Sequence, residues 1–401
     1  MLIQKSYKVE LKPNNKQKTL FKKHAGTARF AYNWALAERI KLWKSEKKSI
    51  SSIEQHRLLN ELKTTEFQWM YEVSKCAPQQ AIRNVDRAFD NFFRNLQKGY
   101  KIGFPNFKSK RKSCVSFYLD GSIHIESNRI KLPRIGWIRL KERDYIPNLP
   151  IKSVTVSERA GHWFVSTSFE FEIPEQKTTG EIIGIDLGIT NLIHTSNNEI
   201  FNNPKILKIY LKKLKRFQRK LSRRQKGSKR REDARKQVTH LHYKISNIRK
   251  DNTHKITTHL VKTKPSVIVM EDLSIKNMMQ NHKIAQALAD SSLSEIGRQI
   301  RYKSEYNSIL LAQVPRFYPS SKTCNKCGNV KEKLELSERV YICEICGHKE
   351  NRDLNAAKNI RDYYTVSSTG INAHGQNIRP KRLNSQLQGS LSEVRNQQKI
   401  A

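Results

Sequence analysis

Apolar positions along the chain change period several times, and each change marks an element. Residues 4–12 alternate, with Tyr7, Val9 and Leu11 on one side, which predicts a short strand ended by Pro13-Asn14-Asn15. From about Lys16 to Lys44 the period is helical, with Phe21, Ala25, Ala28, Tyr32, Ala35 and Leu36 on one face. A second helical stretch, about Pro78 to Gln97, carries Ile82, Val85, Phe89, Phe92 and Phe93. Residues 100–111 read as a loop. Short alternating runs follow at Ser116–Leu119, Ile123–Ile125, Arg129–Leu132, Trp137–Leu140, Ser153–Ser157 and Trp163–Phe171. Together they predict a small β-barrel domain from 1–12 and 113–175, with residues 13–112 as a helical insertion.

The second half is patterned differently. Glu181-Ile182-Ile183-Gly184-Ile185-Asp186 is a buried strand that ends in an acid, and Leu192–Thr195 returns antiparallel after Leu187-Gly188. Residues 205–263 are helical, split into a hairpin at Gly227-Ser228 and ended by Pro265. Val267-Ile268-Val269-Met270-Glu271 is a second buried strand ending in an acid; a helix near 292–307 and a third strand, Ser308–Val314, follow. A last helix opens at Asp353. The tail from about residue 366 has no apolar period and reads as disordered. The fold class this predicts is α+β and multidomain.

Charge narrows the function. The 401 residues hold 76 Lys and Arg against 36 Asp and Glu, a formal net charge of +40. Self-repulsion on that scale points to a polyanion, and counterion release from phosphate backbones makes nucleic acid the strongest candidate. A membrane surface fits less well, because no run of about 18 uncharged apolar residues and no amphipathic anchor occurs. The N-terminus has no signal-peptide core, so a cytoplasmic protein is expected. Residues 205–250 hold nineteen Lys and Arg against only Glu232 and Asp233. Lys212, Lys213, Arg216, Arg219, Arg223 and Arg224 are taken as contacts to a nucleic-acid backbone. Phe217 and Tyr243 offer few stacking platforms, so base readout is not assigned there.

Chemistry is carried by acids and cysteines. A carboxylate at the tip of a buried strand is costly unless something offsets it. One such acid is more often a helix cap or a solvated edge. Asp186, Glu271 and Asp353 occur in strand–hairpin, strand and helix order, the order of parts in an RNase H-like nuclease core. Two Mg²⁺ or Mn²⁺ ions about 4 Å apart would offset the three charges and could cleave a phosphodiester. Asp272, next to Glu271, is taken as structural, and Asp362 as solvated. Cys324-x-x-Cys327 and Cys343-x-x-Cys346, fifteen residues apart, have the spacing of a tetrahedral zinc site at 322–350. Four thiolates leave no open position, so this zinc is structural and His348 is a spare. Cys76 and Cys114 read as ordinary half-buried thiols, and His194 as a core or edge residue.

In order along the chain stand Gly103-Phe104-Pro105-Asn106-Phe107-Lys108-Ser109-Lys110, Gly184-Ile185-Asp186-Leu187-Gly188, Glu271-Asp272-Leu273, Pro319-Ser320-Ser321-Lys322-Thr323-Cys324 and Arg352-Asp353-Leu354-Asn355-Ala356-Ala357-Lys358-Asn359-Ile360. On these motifs residues 1–365 resemble the TnpB family, OrfB-type transposon-encoded proteins related to type V CRISPR effectors. The resemblance implies a RuvC-type nuclease over 180–321 and 351–365, with Asp186, Glu271 and Asp353 as its acids. It implies a guide RNA from the transposon end, one protein per RNA, and double-stranded target DNA cut beside a short transposon-adjacent motif. The N-terminal half would hold the guide and read that motif, with Lys75 and Gln79, four residues apart, as candidate contacts. Asn351 departs from the aspartate often found there. Two other readings stay open: a strand transferase, in which a DNA 3′-hydroxyl replaces water, and a non-cleaving RNA-guided DNA-binding protein.

Overall fold

The computed structural model describes residues 2–110, 115–172, 177–335 and 337–369, so Cys114 and the tail beyond 369 lie outside the described residues. The chain forms two compact units, Met1–Ile173 and Pro174–Ala401.

In the first unit a strand, β1 (Leu2–Lys12), precedes α1 (Asn15–Glu46), α2 (Ser52–Thr65), a 3₁₀ turn at Gln68–Glu72 and α3 (Cys76–Gln97). Six strands follow: β2 (Ser116–Asp120), β3 (His124–Glu126), β4 (Arg129–Leu132), β5 (Gly136–Leu140), β6 (Ser153–Arg159) and β7 (His162–Glu172). Asn14 starts α1 with a reciprocal cap: its side chain accepts from Gln17 N at 2.8 Å, and Gln17 Oε1 accepts from Asn14 N at 3.1 Å. The apolar face read from the sequence is the buried one, with Phe21, Ala31, Ala35 and Leu36 inaccessible beside Val9, Ile82, Val165 and Phe169. Helices and sheet therefore share one core. In α3 the stripe fades outward: Ile82 and Val85 are buried, but Phe93 is 54 % exposed.

The seven strands lie in the order β2-β6-β7-β1-β5-β4-β3, every pair antiparallel. This corrects the expected barrel. Among the described residues β2 and β3 are edges that do not pair with each other, so the sheet is open. β3 has three residues in an exposed–intermediate–exposed pattern, too short and too wet to close a barrel. The 100–110 segment is irregular, yet pinned. The Asn33 side chain donates to Lys108 O at 2.9 Å and accepts from Lys108 N at 2.7 Å, replacing a strand partner.

The second unit holds β8 (Ile182–Asp186), β9 (Asn191–Thr195), β10 (Ile200–Asn202), α4 (Ile206–Ser222), α5 (Lys229–Lys262), β11 (Val267–Glu271), α6 (Ile275–Met278), α7 (His282–Ser291), α8 (Leu293–Tyr306), β12 (Leu310–Val314), β13 (Val340–Ile342), β14 (Lys349–Asn351) and α9 (Arg352–Thr369). The large sheet runs β10-β9-β8-β11-β12, with β8, β11 and β12 parallel and β9 and β10 antiparallel. Strand alternation sorts its two faces. Ile183, Ile185, Ile268 and Met270 pack with Ile256, Leu260, Ile296 and Ile300 of α5 and α8. Val267 and Val269 pack on the other side with Ile360 of α9. The period does not reveal β10, α2, α6 and α7, whose segments are short or weakly amphipathic.

Gly184 shows how closely α9 approaches. A Cβ there would lie 2.1 Å from Ala357 O and 2.6 Å from Arg361 N, backbone atoms that cannot swing aside. Gly184→Ala is expected to destabilise the protein by about 1–3 kcal/mol or more, as overpacking does, measured by denaturant unfolding. An unchanged midpoint would show that α9 does not press on β8 at this point.

Candidate functional site

The register builds the acid cluster. β8 and β11 are parallel, with Ile185 opposite Met270, so one residue later Asp186 and Glu271 end adjacent strands. By alternation both lie on the α9 face, in line with Gly184 and Val269. Asp353 stands in the first turn of α9, where the helix dipole favours a negative charge. Asn351 caps that helix, its Oδ1 accepting from Asp353 N at 2.9 Å and Leu354 N at 3.2 Å. Asparagine and aspartate serve equally well as such caps, which gives the Asn351 departure a benign cause.

Burial pushes the Asp186 carboxyl up to about 8, and the nearby Glu271 and Asp353 charges add to the rise; the Arg352 guanidinium opposes it. Burial also raises Glu271, against the hydroxyl of Ser320, whose Oγ donates to Glu271 Oε1 at 2.5 Å. Asp272 points elsewhere and pairs with Arg316 at 2.5 Å. His194, opposite Asp186 on β9, is 2 % exposed.

The donor set is all oxygen, carboxylate-rich and self-repelling, which fits hard divalent cations such as Mg²⁺ or Mn²⁺. The ligand atoms of the four cysteines all lie within 4.8 Å of one another. Without Mg²⁺ or Mn²⁺ the folded protein holds a proton on Asp186 up to about pH 8, whereas the unfolded chain releases it near the ordinary value of 3.8. The folded state binds more protons across that window, so this contribution, complete below it, is lost as pH rises towards 8. Asp186→Asn removes this proton uptake. In buffer without Mg²⁺ or Mn²⁺ its melting temperature should exceed that of the parent by several degrees at alkaline pH, and the gap should shrink near pH 4. A gap independent of pH would contradict the placement of Asp186.

The cysteine cluster is compact. Cys324 Sγ lies 3.7 Å from Cys346 Sγ, and Cys327 Sγ 3.5 Å from Cys343 Sγ. A tetrahedron with zinc–sulfur bonds of about 2.3 Å has edges of roughly 3.8 Å, so the set is sized for zinc. Each knuckle turns at a glycine with positive φ, Gly328 at 76° and Gly347 at 68°. Backbone N–H groups from Cys346 and Ile345 pull the Cys343 thiol down to about 6, and burial pushes Cys324 up to about 12.

Sequence reasoning missed what joins ribbon and helix. Asn355 and Asn359, buried on one face of α9, reach back to it. Asn355 Nδ2 donates to Thr323 O at 2.7 Å and its Oδ1 accepts from Asn325 N at 3.0 Å. Asn359 Nδ2 donates to Ser320 O at 2.8 Å and to Thr323 O at 2.7 Å. Asp362 belongs to the same join. Its carboxylate accepts from Asn325 Nδ2 at 2.7 Å and Arg361 Nε at 2.8 Å, which corrects the solvated reading. Two amides at i, i+4 beside a thiolate knuckle were the available signal.

Lys212, Lys213, Arg216 and Arg219 of α4, and Arg223 and Arg224 just past its end, are all exposed. Lys213 and Arg216 lie over the Phe217 ring at 5.7 and 5.6 Å, so its faces are already engaged. In the first unit Lys75 is exposed and Gln79 half-buried at the start of α3. Next to them a cavity of about 430 Å³ is lined by Arg29, Arg87, Lys108 and Lys152 with Gln80 and Asn84, a basic recess that periodicity did not reveal. Among the described residues no helix is long and apolar enough to cross a membrane.

The fold and site define a two-unit, strongly basic protein with a strand-tip acid cluster and a four-cysteine ribbon before the last helix. The family described as "Probable transposase" (OrfB_IS605) matches residues 154–282, a "Cas12f1-like, TNB domain" matches 294–360, and a "Helix-turn-helix domain" (HTH_OrfB_IS605) matches 1–48. A Streptomyces pristinaespiralis protein named "Putative RNA-guided DNA endonuclease" is 34% identical over 95% of this chain and 93% of its own. "Putative RNA-guided DNA endonuclease InsQ" of Escherichia coli (strain K12) is 30% identical over 88% and 91%. A solved structure of the mini-RNA-guided endonuclease CRISPR-Cas_phi3 aligns with a TM-score of 0.48 at 9% identity, over 94% of each chain. The chain belongs to the OrfB-type TnpB family.

Proposed function

We propose that this protein is an RNA-guided DNA endonuclease of an IS605-type element, cutting DNA by metal-dependent hydrolysis. The observation that carries the reading is the convergence of Asp186, Glu271 and Asp353 on one face of a β10-β9-β8-β11-β12 sheet, close enough that two of them raise the third. That strand order, with its antiparallel hairpin, supports an RNase H-like core of the RuvC kind. Its relatives' names supply the guide and the substrate.

Bound divalent ions would supply activated water and stabilise the leaving oxygen. Asp186, Glu271 and Asp353 would hold them. Ser320 fixes the Glu271 carboxylate, and Arg352, 3.6 Å from Asp353, partly offsets the cluster's charge. The four cysteines would take structural Zn²⁺. The exposed cations of α4, the basic recess of the first unit, and Lys75 and Gln79 would contact guide RNA and target DNA. Guide pairing would read the sequence, leaving the protein to recognise duplex shape and a short adjacent motif.

The test is the RNA that co-purifies when the protein is expressed with its flanking element ends. A discrete species ending in element-end sequence, and target cleavage dependent on it, is expected. Random fragments only, or joined donor–target products instead of cut ends, would overturn the reading, the latter in favour of a strand transferase.

A further inference from the structure

Glu271 has the longest side chain of the three site acids, and that side chain must be held in one rotamer at the end of β11. The hydroxyl that meets it, Ser320 Oγ, is itself immobilised. Ser320 is 3 % exposed and lies in the turn between β12 and the ribbon. Its N–H donates to Tyr318 O at 2.8 Å, and its carbonyl accepts from Asn359 Nδ2 at 2.8 Å. Asn359 is 4 % exposed and fully used: its amide nitrogen also donates to Thr323 O, and its Oδ1 accepts from Asn325 Nδ2 at 3.3 Å. Asn359 lies on α9, the helix that carries Asp353. A continuous hydrogen-bonded path therefore runs from the Glu271 carboxylate through Ser320 and Asn359 to the helix of the third acid.

We propose that Ser320 and Asn359 are positioning residues that set the Glu271 carboxylate relative to Asp353 and so tune divalent-ion affinity at the cluster. Ser320 engages Oε1, and Oε2 would be the oxygen that meets a ligand. Asn359 keeps the Ser320 turn at a fixed height on α9. Ordering a glutamate side chain costs up to about 2 kcal/mol of rotamer freedom, and a hydrogen bond that orders it beforehand removes that cost from ion binding. Partners that orient a ligating carboxylate are typically worth about 10–100-fold in metal affinity.

The inference rests on the nuclease reading only for the identity of the site, and its test does not depend on turnover. Mn²⁺ binding to the full-length protein–RNA complex is measured by electron paramagnetic resonance, with zinc content and RNA affinity measured in parallel. Ser320→Ala should weaken Mn²⁺ binding by about tenfold or more while zinc and RNA binding are kept, and Ser320→Thr should restore it. Asn359→Asp, which loses both amide donors at unchanged size, should weaken it as well and provides the readout if Ser320→Ala loses zinc. Mn²⁺ affinity within twofold of the parent in Ser320→Ala, or in Asn359→Asp where that variant is the readout, overturns the proposal. A parent complex that binds Mn²⁺ and shows the predicted losses yet cuts no DNA would leave the proposal standing and sink the nuclease reading instead.

Discussion

Asp186→Ala is expected to lower target-DNA cleavage by about 10³-fold or more while guide-RNA and target binding stay within a few-fold of the parent. Several kcal/mol of transition-state charge stabilisation pass through the ions this carboxylate would hold, and each 1.36 kcal/mol is a decade in rate. The variant should nonetheless fold well. The Asp186 carboxyl is raised by burial and by the Glu271 and Asp353 charges, and its removal relieves that cost. Loss of cleavage with undiminished thermal stability separates a site defect from a folding defect. Binding should survive because the exposed cations of α4 lie on a helix seam of their own, built on Ile206, Leu214, Leu241 and Ile245. The decisive comparison is single-turnover cleavage beside an RNA and DNA binding titration on one preparation. Cleavage at the parental rate would remove Asp186 from the site.

The candidate site is more legible in the sequence than the scaffold, and the reason is physical. Asp186 and Glu271 each end a run of apolar residues, and a charge in that position breaks the apolar pattern at a recognisable place. Parallel register and period-two alternation then oblige the two acids to share a face. The cysteine knuckles were legible because tetrahedral geometry fixes their spacing. Closure of the first sheet was not legible, since alternation says which face a strand buries and nothing about which edge it joins. Thus β2 to β7 appeared near their observed places while the barrel did not form among the described residues. Asp362 reads as solvated in the sequence because its partner, Asn325, is 37 positions away, and a single acid on a helix carries no local mark of a distant amide. Ser320, Asn355 and Asn359 stood inside recognised motifs, but their roles exist only once ribbon and helix are brought together.

Cys343→Ser should show that the ribbon supports the site without taking part in its chemistry. The ribbon has almost no apolar core beyond Cys324, Tyr341 and Cys343, so its shape depends on the four thiolates converging. Structural zinc supplies roughly 10–16 kcal/mol of apparent binding energy in small zinc-dependent folds, far more than the few hydrogen bonds that remain. Replacing one of the four thiols is expected to abolish stoichiometric zinc and unfold residues 322–350 locally. The consequence then passes to α9. Thr323 O and Asn325 lose their fixed places, leaving the Asn355 and Asn359 amides and the Asp362 carboxylate without the ribbon partners that held them. The helix remains clamped to β8 near Gly184, so its N-terminal turn, which bears Asp353, should loosen first. Hydrogen exchange should therefore rise in 322–330 and in the first two turns of α9 while β8 and β11 stay protected. Cleavage should fall with it, and raising Mg²⁺ should restore part of the rate, because the acids are displaced and not removed. Cys76→Ser, in the other unit, should change neither zinc content nor cleavage. If Cys343→Ser loses zinc but cuts at the parental rate, α9 is held by β8 alone and the ribbon has a task elsewhere.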